Sequence, residues 1–394
     1  MPGNPRLYQA QVLGVRTGAG LPQQSGPEDL NTRGREPDSS SIYGDYIPVV
    51  YGRARVQGAI IWAKSFELVE STQLSVVSTR LRDTFAVAFC RGPVRLLRVW
   101  FNENLVVGGR DNIINYQFYR GDETQIASNE IVFDGQIPVG YRGLAYMICR
   151  EVYLQEYGNS LPAITAEVEF EDAGDIRTIY RNLLSVTRLP EEDINVPSQT
   201  TALSGYTVTE ESTARELINT LRYITALDVV EADNGVQVSS RTQRPIVTID
   251  VEETLEDESE TREEGLDTIT LEKTPSEVII QYQDIEEEPV QEKTEYARRL
   301  SGRGNFKINN IRIPAVMTRD QAKRIAEQEL YRILEENKEV TIRVSQKYMY
   351  LVPGDVITLR RDDTTIIARI ETMTIGANLA VELNLRTTDR DIYL

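Results

Sequence analysis

Short runs of apolar or alternating residues recur along the chain between Tyr46 and Phe170. They include TFAVAFC, VRLLRVWF, LAYMICREVYL and AITAEVEF, and turn signals such as Arg91-Gly92-Pro93 and Gly108-Gly109 separate them. A period of two is typical of strands that bury one face, and regular turns between short strands are typical of antiparallel sheets. The pattern therefore predicts an antiparallel barrel or sandwich in this part of the chain.

Helical spacing follows this region. Residues 212–226 carry four apolar side chains on one helical face: Leu217, Ile218, Leu221 and Ile224. The runs LDVVEA and GVQVSS come next and read as a hairpin, so this segment predicts a small α/β module. A second helix is predicted over residues 319–337, because Thr318 and Gln321 have the spacing of a capping box.

Strand signals return in the last part of the chain. The runs VTIRVS, DVITLRR, TIIARIETMTIG and LAVELNLRTT predict a second β unit, and Pro353-Gly354 suits the centre of a type II turn between two of its strands. The predicted fold class is mainly β with α+β parts.

Shifts in composition suggest the domain boundaries. Residues 1–45 are rich in Gly, Pro and Ser and are predicted to form an arm or loop. A first β-rich domain is predicted over 46–172, with an inserted β segment at about 91–149. The small α/β module and an acidic linker occupy 173–264, and the second β domain with its helix occupies 265–394.

The composition excludes several kinds of active site. The 394 residues include no histidine, which excludes Ser-His-Asp and Cys-His catalysis, and two cysteines are too few for a four-ligand zinc site of nitrogen and sulfur. No P-loop, nucleophile elbow or dinucleotide-binding glycine motif is present in the sequence. We predict no catalytic residue, no metal site and no cofactor, and we do not expect an enzyme.

The two cysteines leave two interpretations open. Cys90 and Cys149 lie in the apolar runs FAVAFC and AYMIC. Such positions fit buried thiols, and they also fit one inter-strand disulfide.

The charge of the chain bears on its partners. A net charge of −18 makes the protein a poor candidate for gripping nucleic acid, although such a surface lets nucleic acid pass without sticking. Eight acids fall in residues 252–264, which we interpret as a linker. No run of 18 apolar residues and no signal-peptide pattern is present, so we expect synthesis in a cytoplasm and no membrane insertion.

One stretch, IPVVYGRARVQG, places Arg53 and Arg55 between Gly52 and Gly58. In an acidic chain these arginines are expected to face carboxylates, either on a neighbouring subunit or on a neighbouring strand of the same chain. The pair Arg298-Arg299 is a further candidate for a subunit interface. If Arg53 and Arg55 form a joint between subunits, reversing both charges impairs assembly rather than folding.

The order of several motifs resembles one family. SIYGDYIPVVYGRARVQGAIIWA, YRGLAYMICREVYLQEYGNSLPAITAEVEF and SGYTVTEESTARELINTLRYITALDVVEADNGVQV are similar to successive segments of the central tail hub proteins of long-tailed phages and gene transfer agents. These proteins are related to the large "megatron" hub and to tail tip attachment proteins. PSEVIIQYQD, IPAVMTRDQAKRIAEQEL and YLVPGDVITL resemble later pieces, so the resemblance covers residues 41–394.

The resemblance implies a fold like that of baseplate hubs, with two tube-like antiparallel β-barrel domains and a small α/β module. It implies a homotrimer that closes the distal end of the tail in the virion, adapts sixfold tail rings to a threefold tip and forms part of the DNA ejection channel. The implied partners are the distal tail ring protein, the tape measure protein and tip, fibre or receptor-binding proteins. Viral DNA would pass through the lumen without specific binding.

The larger family members carry a TIM-barrel-like domain before this region and receptor-binding extensions after it. Here an arm precedes the region and the sequence ends at Leu394, so we do not expect host recognition by this chain. Two alternatives stay open: a receptor-binding adhesin or fibre-type tail protein, and a tail hydrolase that depends on a pair of carboxylates.

Overall fold

The computed structural model describes residues 46–64, 67–73, 76–131, 138–170, 175–185, 190, 194–196, 203–232, 235–250, 275–288, 290–299, 307–336, 338–361, 364–376 and 379–393. The predicted arm over 1–45 lies outside the described residues, and so does the acidic run 252–264.

Strands dominate the first part of the described chain. They are β1 (Val49–Gln57), β2 (Ala59–Ala63), β3 (Glu67–Gln73), β4 (Val76–Arg91), β5 (Arg95–Phe101), β6 (Asn104–Val107), β7 (Asn115–Tyr119), β8 (Leu144–Tyr153) and β9 (Ile164–Glu169).

The later part mixes strands with three α-helices among the residues described. The elements are α1 (Ile176–Ser185), β10 (Ile194–Asn195), β11 (Gly205–Val208), α2 (Ala214–Thr225), β12 (Leu227–Ala232), β13 (Gly235–Ser240), β14 (Val247–Asp250), β15 (Glu277–Asp284), β16 (Gln291–Arg298), β17 (Ile308–Met317), α3 (Arg319–Glu335), β18 (Glu339–Val344), β19 (Val356–Arg361), β20 (Thr364–Ile375) and β21 (Val381–Thr387). The prediction of a mainly β fold with α+β parts is confirmed.

Contacts divide the described residues into two compact units. The N-terminal unit comprises the described residues up to Phe170 and returns for Ser204–Glu211, whereas the C-terminal unit comprises 175–203 and the chain from Ser212 onward. The predicted limit at residue 172 stays a prediction, because the N-terminal unit also contains Ser204–Glu211. The predicted division of the remainder into 173–264 and 265–394 stays a prediction.

Two sheets build the N-terminal unit. One has the strand order β11-β1-β9-β5-β6, and the other has the order β2-β4-β8-β7 with β3 paired to β4. The predicted inserted segment at about 91–149 contributes strands to both sheets. The apolar faces pack together, so that the rings of Phe85 in β4 and Phe101 in β5 have centroids 6.1 Å apart.

Strand β1 changes its partner halfway along its length. Residues 49–52 pair with β11, and residues 53–57 pair with β9. The exchange needs glycine at two positions, because a Cβ on Gly52 would lie 2.4 Å from the Ser204 carbonyl oxygen and one on Gly205 would lie 2.0 Å from the Arg53 carbonyl oxygen. Gly52 also has a φ of 69°, a conformation that glycine adopts without strain.

The two cysteines lie inside the second sheet of this unit. Cys90 is in register with Ala145, and Cys149 is in register with Phe85, so the two sulfurs are not opposite each other. Both residues are free and buried, which confirms the interpretation as buried thiols. Burial raises the pKa of Cys90 to about 12 and raises that of Cys149 as well.

The C-terminal unit contains a three-stranded sheet in the order β16-β15-β17 and a five-stranded sheet in the order β14-β19-β20-β21-β18. Helix α3 packs on β15 and β16, and it buries Ala322, Ile325, Ala326 and Leu330. A smaller sheet, β10-β13-β12, lies beside α2, and α2 packs against α1.

Several local predictions are confirmed in this unit. Helix α3 begins at Arg319 behind the predicted capping box of Thr318 and Gln321, and it ends at Glu335. Gly354 has a φ of 93°, and the amide of Asp355 donates a 3.1 Å hydrogen bond to the Val352 carbonyl, as a type II turn requires. The runs LDVVEA and GVQVSS pair as β12 and β13.

A buried polar cluster joins the last helix to the hairpin and to the five-stranded sheet. The Arg241 guanidinium donates to both carboxylate oxygens of Asp228 at 2.8 and 3.1 Å, to Glu336 at 3.3 Å and to the Tyr393 hydroxyl at 2.8 Å. Arg369 from β20 reaches the same Asp228 at 3.0 Å. Burial alone would lower the pKa of Arg241, but these partners, above all Asp228, raise it above its usual value.

We expect Thr318→Val to lower the free energy of unfolding by about 1 kcal/mol, because the side chain no longer accepts the Gln321 amide at the start of α3. Thr318→Ser is the control, since it keeps the hydroxyl. Equal urea midpoints for the two variants would contradict the assignment of this cap.

We expect Asp228→Asn to lower the free energy of unfolding by about 3–5 kcal/mol, because the change leaves two buried guanidiniums without their shared carboxylate. Asp250→Asn removes an exposed ion pair with Arg360 and should change the urea midpoint little. A similar small effect at Asp228 would mean that the cluster does not hold the unit together.

Candidate functional site: an arginine face on the N-terminal unit

One face of three neighbouring strands in the N-terminal unit is polar. It is formed by β1, β9 and β5, whose opposite faces are buried in the core. Strand register places nine residues on this surface, which we call the arginine face: Arg53, Arg55 and Gln57; Thr165, Glu167 and Glu169; Arg95, Arg98 and Trp100. Side chains alternate along each strand, so positions two apart share the face, and a register shift between Leu96 and Arg98 brings Arg95 onto the same face as Arg98.

Glu167 lies at the centre of the arginine face, and its side chain is fully buried. The Arg53 guanidinium donates to Glu167 Oε1 through its Nε. Arg98 Nη1 lies 3.9 Å from Glu167 Oε2, an oxygen that has no hydrogen-bond partner among the described residues. The guanidinium groups therefore cover this carboxylate, and charge pairing compensates for its loss of water.

Arg55 is held by a different set of contacts. Its Nε and Nη2 donate to Thr165 Oγ1 at 3.1 and 2.9 Å, and its guanidinium carbon lies 4.3 Å from the centre of the Trp100 ring. Stacking of this kind fixes the plane of the guanidinium. Burial lowers the pKa of Arg55, and the nearby Glu167 carboxylate opposes that shift.

Arg53, Glu169 and Arg95 lie side by side on the three strands, and we call them the outer row of the arginine face. Arg53 and Arg95 both lie opposite Glu169 in strand register, and Arg95 Nη2 donates to Glu169 Oε2. The side chain of Arg95 is 59% exposed, which is the largest exposed fraction among the arginines of the ion pairs on this face. Four arginines and two glutamates give the face a formal charge of +2, in a chain whose net charge is −18.

The sequence left two partners open for Arg53 and Arg55, and the structure provides one of them. Glu167 and Thr165 of β9 meet these arginines within the chain. Arg95, Arg98 and Glu169 were not among the predicted residues. Glu169 was predictable, because Glu167 and Glu169 occupy alternate positions of one strand. Arg95 and Arg98 were not, because they are three positions apart and share the face only through a register shift between Leu96 and Arg98.

The other predicted pair lies elsewhere. Arg298 is the last residue of β16 and is opposite Glu277 of β15, and the Arg299 amide donates to the Ser276 carbonyl at 2.9 Å. Both side chains are exposed, and both residues belong to the C-terminal unit. The predicted interface residues are therefore divided between the two units.

Other features add little to the chemistry of the described residues. Within them, no group of three or more acidic or cysteine side chains is arranged to hold a metal ion. None of the helices in the described ranges is both long and apolar enough to cross a membrane.

Comparisons with known proteins extend this description. Residues 213–373 match a family model described as "Putative phage tail protein". No curated protein matches the sequence.

The fold is similar to that of a chain in the structure of the virion of a native gene transfer agent particle. The TM-score is 0.76 at 19% identity, and the likeness covers 94% of this chain and 91% of that chain. At this identity the likeness establishes a shared fold.

Two crystal structures of tail proteins align less closely. The tail protein from Neisseria meningitidis MC58 has a TM-score of 0.37 at 10% identity, with 88% of this chain and 98% of that chain covered. The 43 kDa tail protein of prophage MuSo2 from Shewanella oneidensis has a TM-score of 0.34 at 8% identity, with 84% and 99% covered. These scores are too low for either structure to bear on the fold.

The contact between Arg53 and buried Glu167 changes the expected effect of charge reversal. A carboxylate at position 53 would face Glu167, so Arg53→Glu with Arg55→Glu should unfold the unit before it affects assembly. We expect Glu167→Gln alone to lower the free energy of unfolding by about 1–3 kcal/mol, because it removes a buried carboxylate that pairs with two partly exposed arginines.

Glu169→Gln is the matched control, because this carboxylate is 31% exposed on the same strand and pairs with an exposed arginine. Its loss should change the free energy of unfolding by about 0.2–1 kcal/mol. Urea titration of both variants checks the difference, and equal losses would refute a special role for Glu167.

Proposed function

We propose that this chain is a structural component of the tail of a phage or phage-like particle, and that it is the central hub at the distal end of the tail. In this role it forms a homotrimer, adapts sixfold tail rings to a threefold tip and surrounds part of the DNA ejection channel. It carries out no reaction and needs no cofactor.

The match of residues 213–373 to a tail protein family carries the proposal. It spans α2, α3 and most of the five-stranded sheet, so it involves the framework of the C-terminal unit and not one short motif. The fold shared with a chain of a gene transfer agent virion supports the same role, because the likeness extends over nearly all of both chains.

The charge of the chain suits a channel for DNA. Three copies at −18 each carry −54, and a lumen with surplus carboxylates repels phosphates instead of holding them. DNA could then slide past the hub without pausing.

The ion pairs on the exposed sheet faces are suited to a structural protein that works within an assembly. Among the described residues, charged side chains on exposed sheet faces pair across strands, as Arg343 does with Glu382 and Arg360 with Asp250.

The proposed neighbours are the distal tail ring protein, the tape measure protein and the tip, fibre or receptor-binding proteins. The proposed location is the distal end of the tail in the virion.

We expect the purified protein to have a mass near three times 44.6 kDa by multi-angle light scattering, either alone or after mixing with the adjoining tail ring protein. Negative-stain images of the same sample should show a threefold ring with a central channel. A monomer under both conditions would refute the trimeric hub.

A further inference from the structure

We infer that the arginine face docks a carboxylate-bearing surface of a second copy of this chain. The inference rests on the proposed function, because it assigns chemistry to one joint of the proposed trimer. It starts from the guanidinium groups of the outer row, Arg53 and Arg95.

Both outer arginines keep unused donors. A guanidinium has five N–H groups. Arg53 contacts Glu167 through Nε, and Arg95 contacts Glu169 through Nη2. Among the described residues, these are the side-chain hydrogen bonds of Arg53 and Arg95, so the terminal nitrogens of Arg53 and the Nε and Nη1 of Arg95 make none. The side chains are 29% and 59% exposed, so these donors are accessible to a partner.

The guanidiniums of Arg53 and Arg95 are each anchored to a glutamate of β9. Arg53 and Arg95 lie on β1 and β5, on either side of β9, which places their strands roughly 10 Å apart. Contacts within the face restrict both side chains before any partner arrives. A partner carboxylate would therefore lose less conformational entropy on binding here than at a mobile arginine.

The positive charge of the arginine face indicates which molecule binds there. The face holds four arginines and two glutamates, a formal charge of +2, on a chain that has 61 acidic and 43 basic residues. A second copy of the chain thus offers surplus carboxylates, and its approach is favoured at this face and opposed at acidic surfaces.

A contact of this kind also has a symmetry that can form a ring. A basic face on one copy meets an acidic surface on the next copy, and these are different surfaces of the chain. Contacts of this head-to-tail kind generate closed rings when the rotation closes. A ring of three copies would bury one arginine face at each joint.

Arg95→Glu is the variant that tests this contact, because the residue is exposed and its loss leaves Glu167 covered by Arg53. Arg360→Glu is the matched control: this arginine is 57% exposed on the C-terminal unit and pairs with Asp250 as Arg95 pairs with Glu169. Thermal unfolding confirms that both variants are folded. Sedimentation velocity over a concentration series then measures self-association at about 0.1 M and about 1 M salt.

We expect Arg95→Glu to shift dissociation to concentrations roughly 30-fold higher or more, and Arg360→Glu to leave it unchanged. High salt should weaken the wild-type assembly and have less effect on the Arg95 variant. A wild-type trimer with the same stability in both variants would overturn the inference and leave the proposed hub intact.

Other outcomes separate the two proposals further. If the wild type forms an assembly other than a trimer and Arg95→Glu abolishes it, the docking face is supported and the trimeric hub is refuted. A protein that stays monomeric even with the tail ring protein overturns both. Binding of a labelled DNA duplex that is lost in Arg95→Glu would overturn the inference in favour of a nucleic-acid face.

Discussion

The close crossing of two backbones at Gly52 and Gly205 is the constraint on which the N-terminal unit depends. Neither position has room for a Cβ, so β1 leaves β11 and joins β9 at one defined residue. That exchange fixes the register of the second half of β1. A shift of one residue would turn Arg53 and Arg55 into the core and place Ala54 and Val56 on the surface.

The same register explains why an acidic chain maintains a basic surface. Once β1 and β5 flank β9, a buried carboxylate at Glu167 requires positive charge on both sides, which Arg53 and Arg98 provide. Internal pairing and binding of a partner are therefore compatible uses of one surface. The buried carboxylate contacts Arg53 through Nε, and the Arg53 side chain remains 29% exposed.

The sequence predictions succeeded where the interacting residues are close together in the chain. The capping box at Thr318 and the turn at Gly354 depend on residues within a few positions, and both were predictable. The partner of Arg53 lies 114 residues later, so the sequence could not choose between two kinds of partner. Strand β11 was not predictable from alternation, because its four residues are all buried.

The return of Ser204–Glu211 to the first unit has a consequence for how such proteins diversify. Over the described residues the chain passes between the units three times, so neither unit is encoded by one uninterrupted stretch of gene. A single recombination event near residue 174 would deliver a first unit whose β1 meets a foreign β11. The crossing at Gly52 and Gly205 would then have to be compatible between the two parents. We therefore expect recombination to exchange the two units together and not separately.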